Sequence, residues 1–238
     1  MKNENNMEKI REINNEWITA LEEEEKDLPN DKKLRILMYE PFTDQYWKQK
    51  YKIVLCNLEP GGTPENEKIL SLKTYRKWLE EGSPTIRNTS VFIYCLSNIL
   101  EGIDTWGQIE TVKKNYDLLM KYVEKITYMN LLKDCGTPNF DEGWFNTFFS
   151  GEKGKKDIER TINYINTLNP DIFIVTGKGD DFIENIYKNK FNKEMRSFVN
   201  DKTLFIKLGH PSRWSKDYLP HNISLIMENM LIHNLLKK

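Results

Sequence analysis

The chain has 238 residues, 30% of them charged, with 35 basic against 36 acidic side chains for a formal net charge of −1. That length admits one α/β domain with a sizeable core, and the balanced charge excludes attraction to a polyanion through global charge, leaving only a local basic patch for any DNA contact. Cys56, Cys95 and Cys135 sit far apart, which suits a reducing compartment and offers no metal-ligand spacing; no apolar run is long enough to span a bilayer, and the Asn/Glu/Lys-rich start is not a signal peptide, so a cytoplasmic protein with no membrane partner is expected.

Between Met7 and Lys26, Ile10, Ile13, Trp17 and Leu21 share one helical face, and Pro29-Asn30-Asp31 breaks the pattern. Phe42, Tyr46, Trp47 and Tyr51 join Tyr39 around Pro41 in an aromatic cluster expected to pack ahead of the first strand. Residues 1–50 thus read as a helical and aromatic extension packed on a domain spanning 51–238. That domain opens with Lys52-Ile53-Val54-Leu55-Cys56-Asn57-Leu58-Glu59-Pro60-Gly61-Gly62, an apolar strand ending in a carboxylate, a proline and two glycines. Thr63-Pro64-Glu65 has the composition of a helix start, with Ile69, Leu72, Tyr75, Trp78 and Leu79 following at helical spacing and Gly82 as the stop. Ser83 to Thr89 reads as a polar connection into a mostly buried helix over Val91–Leu100, which contains Phe92.

One amphipathic helix is expected over Gln108–Lys125, then a strand over Ile126–Leu132. Asn130 stands out within that strand, because a buried amide must find partners or lose about 1–3 kcal/mol to desolvation. Gly143 to Phe149 forms an aromatic loop. A helix over Asp157–Leu168, stopped by Asn169-Pro170, leads to a strand over Asp171–Gly177, and Lys178-Gly179 opens another helix as a possible phosphate-contacting turn. The glycine spacing of a Walker motif is missing there. The last strand, Leu204–Leu208, empties into Gly209-His210-Pro211-Ser212-Arg213-Trp214-Ser215, and Pro220 starts a terminal helix.

Four short apolar strands separated by helical stretches predict a three-layer α/β/α fold with a central four-stranded parallel sheet. Ligands of such sheets bind outside the carboxyl ends of the strands. Glu59, Asn130, Lys178 and His210 each lie at or just past such an end, so one pocket collecting them is a geometric expectation independent of any family name.

Leu58-Glu59-Pro60-Gly61 and His210-Pro211-Ser212-Arg213-Trp214-Ser215 together resemble the two active-site motifs of the uracil-DNA glycosylase superfamily. Asn130-Leu131-Leu132-Lys133 resembles its base-reading strand. The resemblance implies a monofunctional glycosylase of base-excision repair that acts, without cofactor or metal, on a base flipped out of single- or double-stranded DNA, and the chain is expected to be a monomer. It implies Glu59 and His210 as catalytic residues, with Asn130, Asn57 and Phe92 around the base. Gly61, Gly62, Lys178, Ser212, Arg213, Trp214 and Ser215 are implied as DNA contacts, Trp214 or Arg213 being the wedge that fills the vacated stack. Lys207 and Lys216 would add to a basic rim with Lys178 and Arg213.

Two positions depart from the family pattern. Asn57 stands where most members have glycine, and Glu59 stands where asparagine or the one-methylene-shorter aspartate is usual. A pocket altered in this way leaves open a modified base of foreign DNA, and with it a defence role. A non-catalytic DNA-binding module of the same fold is the other alternative, against which the presence of both Glu59 and His210 weighs.

Overall fold

The structure is a computed structural model that describes residues 2–26, 35–36, 38, 40–57, 68–131, 134–135, 148–177, 179–214 and 217–237. Its centre is an open sheet of five strands in the order β3 (Thr127–Asn130), β2 (Ile53–Asn57), β5 (Ile172–Thr176), β7 (Thr203–Leu208) and β6 (Ser197–Asn200). The first four run parallel and correspond to the four predicted strands. The fifth corrects the four-stranded expectation: β6 pairs antiparallel with β7 through a two-residue turn, Asp201-Lys202, in which Asp201 takes φ +51°. A separate two-residue pairing joins β1 (Arg35–Ile36) to β4 (Asp134–Cys135).

Successive residues of β2 alternate between two apolar clusters. Ile53 and Leu55 belong to one, with Tyr128, Ile172, Ile174, Leu204 and Ile206; Val54 and Cys56 belong to the other, with Met129, Phe173, Val175 and Phe205. Both sheet faces are therefore covered, which is why β2 and β5 read as unbroken apolar runs. The first cluster is closed by helices α3 (Leu72–Glu80), α4 (Pro84–Leu100), α6 (Tyr116–Val123) and α9 (Tyr218–Ile232). The second is closed by α1 (Lys2–Glu25), α7 (Glu152–Leu168) and α8 (Gly179–Tyr187). Ile10 and Ile13 of α1 lie in that second cluster, while Trp17 and Leu21 close on Met38.

Local chemistry moved several predicted boundaries. Residues 63–67 lie outside the described residues, and α3 begins only at Leu72, with Ser71 Oγ accepting the Thr74 N–H at 3.1 Å. The expected polar connection Ser83–Thr89 is instead the first turns of α4: Ser83 caps it and Pro84 occupies its first position. The single helix expected over Gln108–Lys125 is broken into α5 (Ile109–Val112) and α6, because Asn115 re-caps the chain by accepting the Leu118 N–H at 3.1 Å. The aromatic cluster around Pro41 divides between the faces. Phe42 sits 5.7 Å from Tyr75 and 6.0 Å from Tyr128 on one, and Tyr46 is buried on the other. Of the aromatic loop, Phe148 and Phe149 are described, and both rings pack on Phe182.

Candidate functional site

Strand parity assembles the site. Asn57, Asn130 and Thr176 each end a parallel strand and share the pleat parity of the residues facing α4. Asn57 is the register partner of Asn130, and Thr176 is that of Leu208. Across β3, β2, β5 and β7 the strand ends thus offer an amide, a second amide, a hydroxyl and the chain leading to His210. Asn130 is buried, at 1% exposure, while Asn57 is partly exposed. The buried Thr176 hydroxyl donates to Asn57 Oδ1 and also lies 3.3 Å from the Cys56 carbonyl. Gly177 then turns with φ +65°, which an L side chain rarely adopts. A Cβ there would stand 3.7 Å from His210 Cδ2, so the imidazole lies directly beside this turn.

His210 itself is extended, φ −63° and ψ 135°, as the following proline requires. Its side chain caps the 3-10 turn Pro211–Arg213: Nδ1 accepts the Ser212 N–H at 3.3 Å and lies 2.8 Å from Ser212 Oγ. Because a backbone N–H can only donate, Nδ1 is the lone-pair nitrogen and the neutral ring carries its proton on Nε2. Partial burial, and then the Arg213 cation, lower the His210 pKa from its ordinary value near 6.5. The ring is therefore neutral at neutral pH and offers Nε2–H as a donor. Isotope-resolved NMR of the imidazole is expected to show the Nε2–H tautomer and a midpoint below 6.5. Since the folded pKa is the depressed one, the stabilising contribution is complete above about pH 6.5 and is lost as pH falls through the folded midpoint. A midpoint above 6.5, or an Nδ1–H ring, would contradict this geometry.

The loop is held from beneath by α4. Asn88 Nδ2 donates to the carbonyls of Pro211 at 2.9 Å and Trp214 at 3.1 Å. The Trp214 indole N–H donates back to the Gly209 carbonyl at 2.7 Å, and its ring centroid lies 4.8 Å from that of Phe92. Trp214 is only 6% exposed and Phe92 is fully buried, so in this structure the indole is a pillar of the loop and Phe92 supports that pillar from α4. Ser212 and Arg213 are exposed on the outer side of the same loop. Lys207, placed in the basic rim by sequence, is instead half-buried within β7, with its ammonium 2.9 Å from Asp180. The Lys207 side chain projects to the sheet face opposite α4 because its parity is that of Phe205. Glu59, Gly61, Gly62, Lys178, Ser215 and Lys216 lie outside the described residues.

Asn88 and Thr176 are the residues that sequence reading missed. Thr176 was accessible in principle, being the last residue of a strand whose partners end in Asn57 and in Leu208, two residues before His210. Asn88 became legible only once Ser83-Pro84 was understood as a helix start, which places it one turn into α4.

No helix among the described residues is long and apolar enough to cross a membrane. No family model matches the chain, and a search of the curated proteins finds no match.

Proposed function

We propose that this chain is a monofunctional DNA glycosylase that hydrolyses the N-glycosidic bond of uracil or another modified base flipped out of DNA. The observation that carries the reading is the row of strand-end groups on one face of the sheet: Asn130, Asn57 and Thr176, with His210 beside Gly177. Breaking the bond from the sugar C1′ to the base nitrogen sends the electron pair to the base and leaves positive charge on the sugar. A neutral His210 Nε2–H is the right donor for an oxygen of the departing base, because it stabilises growing negative charge without having to surrender a full proton. Asn130 can offer both a donor and an acceptor to a base edge. Glu59, two residues after Asn57 in the chain, would stabilise the sugar cation and orient the water whose oxygen bonds to C1′. The proton released from that water balances the base anion, giving free base and an abasic sugar. Arg213 and Ser212 on the exposed side of the loop would contact flanking phosphates. Extruding the nucleotide costs a few kcal/mol of stacking, and Arg213, exposed on this loop, would fill the gap.

The reading is tested by incubating the protein with oligonucleotides carrying uracil, hypoxanthine, xanthine, thymine mismatches or modified cytosines, in single and double strands, with mass spectrometry of released base. Release of uracil or another modified base, with the strand left intact, is the expected outcome. Borohydride is expected to trap no covalent adduct, since Lys207 is tied to Asp180 and cannot serve as an imine-forming nucleophile at the site. Tight, salt-sensitive DNA binding without release of any base would replace the glycosylase reading with that of a DNA-binding module.

A further inference from the structure

We propose that Arg87 of α4 is a phosphate contact, carrying onto the helix the DNA-facing surface that Ser212 and Arg213 begin on the His210 loop. The inference rests on the DNA-binding half of the reading above and adds an element to which no strand end or loop motif pointed. Helix and loop meet at Asn88, whose Nδ2 donates to the carbonyls of Pro211 and Trp214, the two residues that bracket Ser212-Arg213. Arg87 directly precedes Asn88 and is exposed, as are His210, Ser212 and Arg213. The seam is thus bordered by exposed side chains from both elements.

Arg87 is also uncommitted. Among the described residues Arg11, Arg76 and Arg160 are each tied to a carboxylate, whereas Arg87 and Arg213 make no ion pair. The acids that precede α4 are occupied, Glu80 by Arg76 at 2.8 Å and Glu81 by Lys77 at 3.7 Å. No Asp or Glu occurs from Gly82 to Leu100, which takes in all of α4, or from Thr203 to Lys216, which takes in β7 and the loop; the next is Asp217. In a chain with 36 acidic side chains, the seam therefore carries a local positive surplus that the net charge of −1 conceals. A planar guanidinium fork matches phosphate oxygens two at a time. Arginines on two separate elements suit successive phosphates of a polymer rather than one small anion. Because the contact is to the backbone, it carries no preference for base or sequence.

The test is equilibrium binding of unmodified single-stranded and duplex oligonucleotides, followed by fluorescence anisotropy over a range of salt concentrations, with thermal melting as the check on folding. Unmodified DNA separates binding from base release. Wild type, Arg87→Ala, Arg87→Lys and Lys121→Ala are compared. Lys121 is an exposed control beside Tyr122, which bonds Asn98, about 15 Å along α4 from Asn88. Arg87→Ala is expected to weaken binding and to lower the slope of log K against log salt by about one on both substrates, with melting unchanged. Arg87→Lys is expected to keep the slope because it keeps the charge, and Lys121→Ala to match wild type. A wild-type slope in Arg87→Ala, or a loss no greater than that in Lys121→Ala, overturns the inference; if a base is still released from modified DNA, the glycosylase reading stands. A slope lost as fully in Arg87→Lys as in Arg87→Ala also overturns it, since charge would not then be what the position supplies. Wild type that binds no oligonucleotide at low salt overturns both.

Discussion

Replacing Glu59 with glutamine is expected to slow single-turnover base release by about a hundredfold or more, the scale associated with removing one group that stabilises charge in a transition state. Glutamine keeps the size and hydrogen-bonding reach of the side chain and removes only the charge. The substitution therefore isolates the electrostatic role from packing, and the melting temperature is expected to stay where it was. In the proposed mechanism His210 would act on the other side of the breaking bond, through a neutral donor to the base. If the two groups stabilise opposite ends of one charge separation, their losses are not independent: the rate of Glu59→Gln combined with His210→Phe should exceed the product of the two single effects, because each group stabilises a charge that forms only with the other. Full activity in Glu59→Gln would remove the carboxylate from the mechanism and leave His210, Asn130 and Asn57 as a base-binding row without a partner for the sugar.

The parts of this fold that were legible in the sequence are those where composition alone sets the outcome. The runs Ile53–Cys56 and Ile172–Val175 have no polar residue to expose, so they had to become strands covered on both faces, and the rule that ligands meet such sheets at their carboxyl ends led to Glu59, Asn130, Lys178 and His210, of which Asn130 and His210 are among the described residues. What escaped depended on contacts between distant segments. β6 has four residues and no apolar run, and it exists because the Asp201-Lys202 turn folds it onto β7. Thr176 gains its role only from register, which brings it beside Asn57. Composition misled at Ser83–Thr89, where polar residues suggested a loop although Ser83 and Pro84 are strong helix-starting signals. The same weakness affected Trp214: an aromatic ring in a polar loop beside arginine reads as exposed, and its burial depends on Phe92 from an element far away in the chain.

Trp214→Ala is accordingly expected to act on stability first and on DNA only through it. The indole is almost fully buried, packs on the Phe92 ring and gives its N–H to the Gly209 carbonyl. Truncating a buried tryptophan costs about 3–5 kcal/mol, which for a domain of this size is a fall of roughly 6–20 °C in melting temperature. The Asn88 bonds to Pro211 and Trp214 would remain, but Gly209 would lose the partner that fixes its carbonyl one residue before His210. Base release should therefore fall to a similar degree on single-stranded and duplex substrates, since the defect lies in placing the imidazole rather than in filling a vacated stack. Arg213→Ala makes the contrasting case. That side chain is exposed, so its loss should leave the melting temperature within a degree or two and weaken duplex substrates selectively, because only a duplex leaves a gap to fill. A Trp214→Ala protein that melts like wild type and fails only on duplex DNA would show that the indole leaves its seat on Phe92 to enter the helix, and the pillar assignment would give way to the wedge.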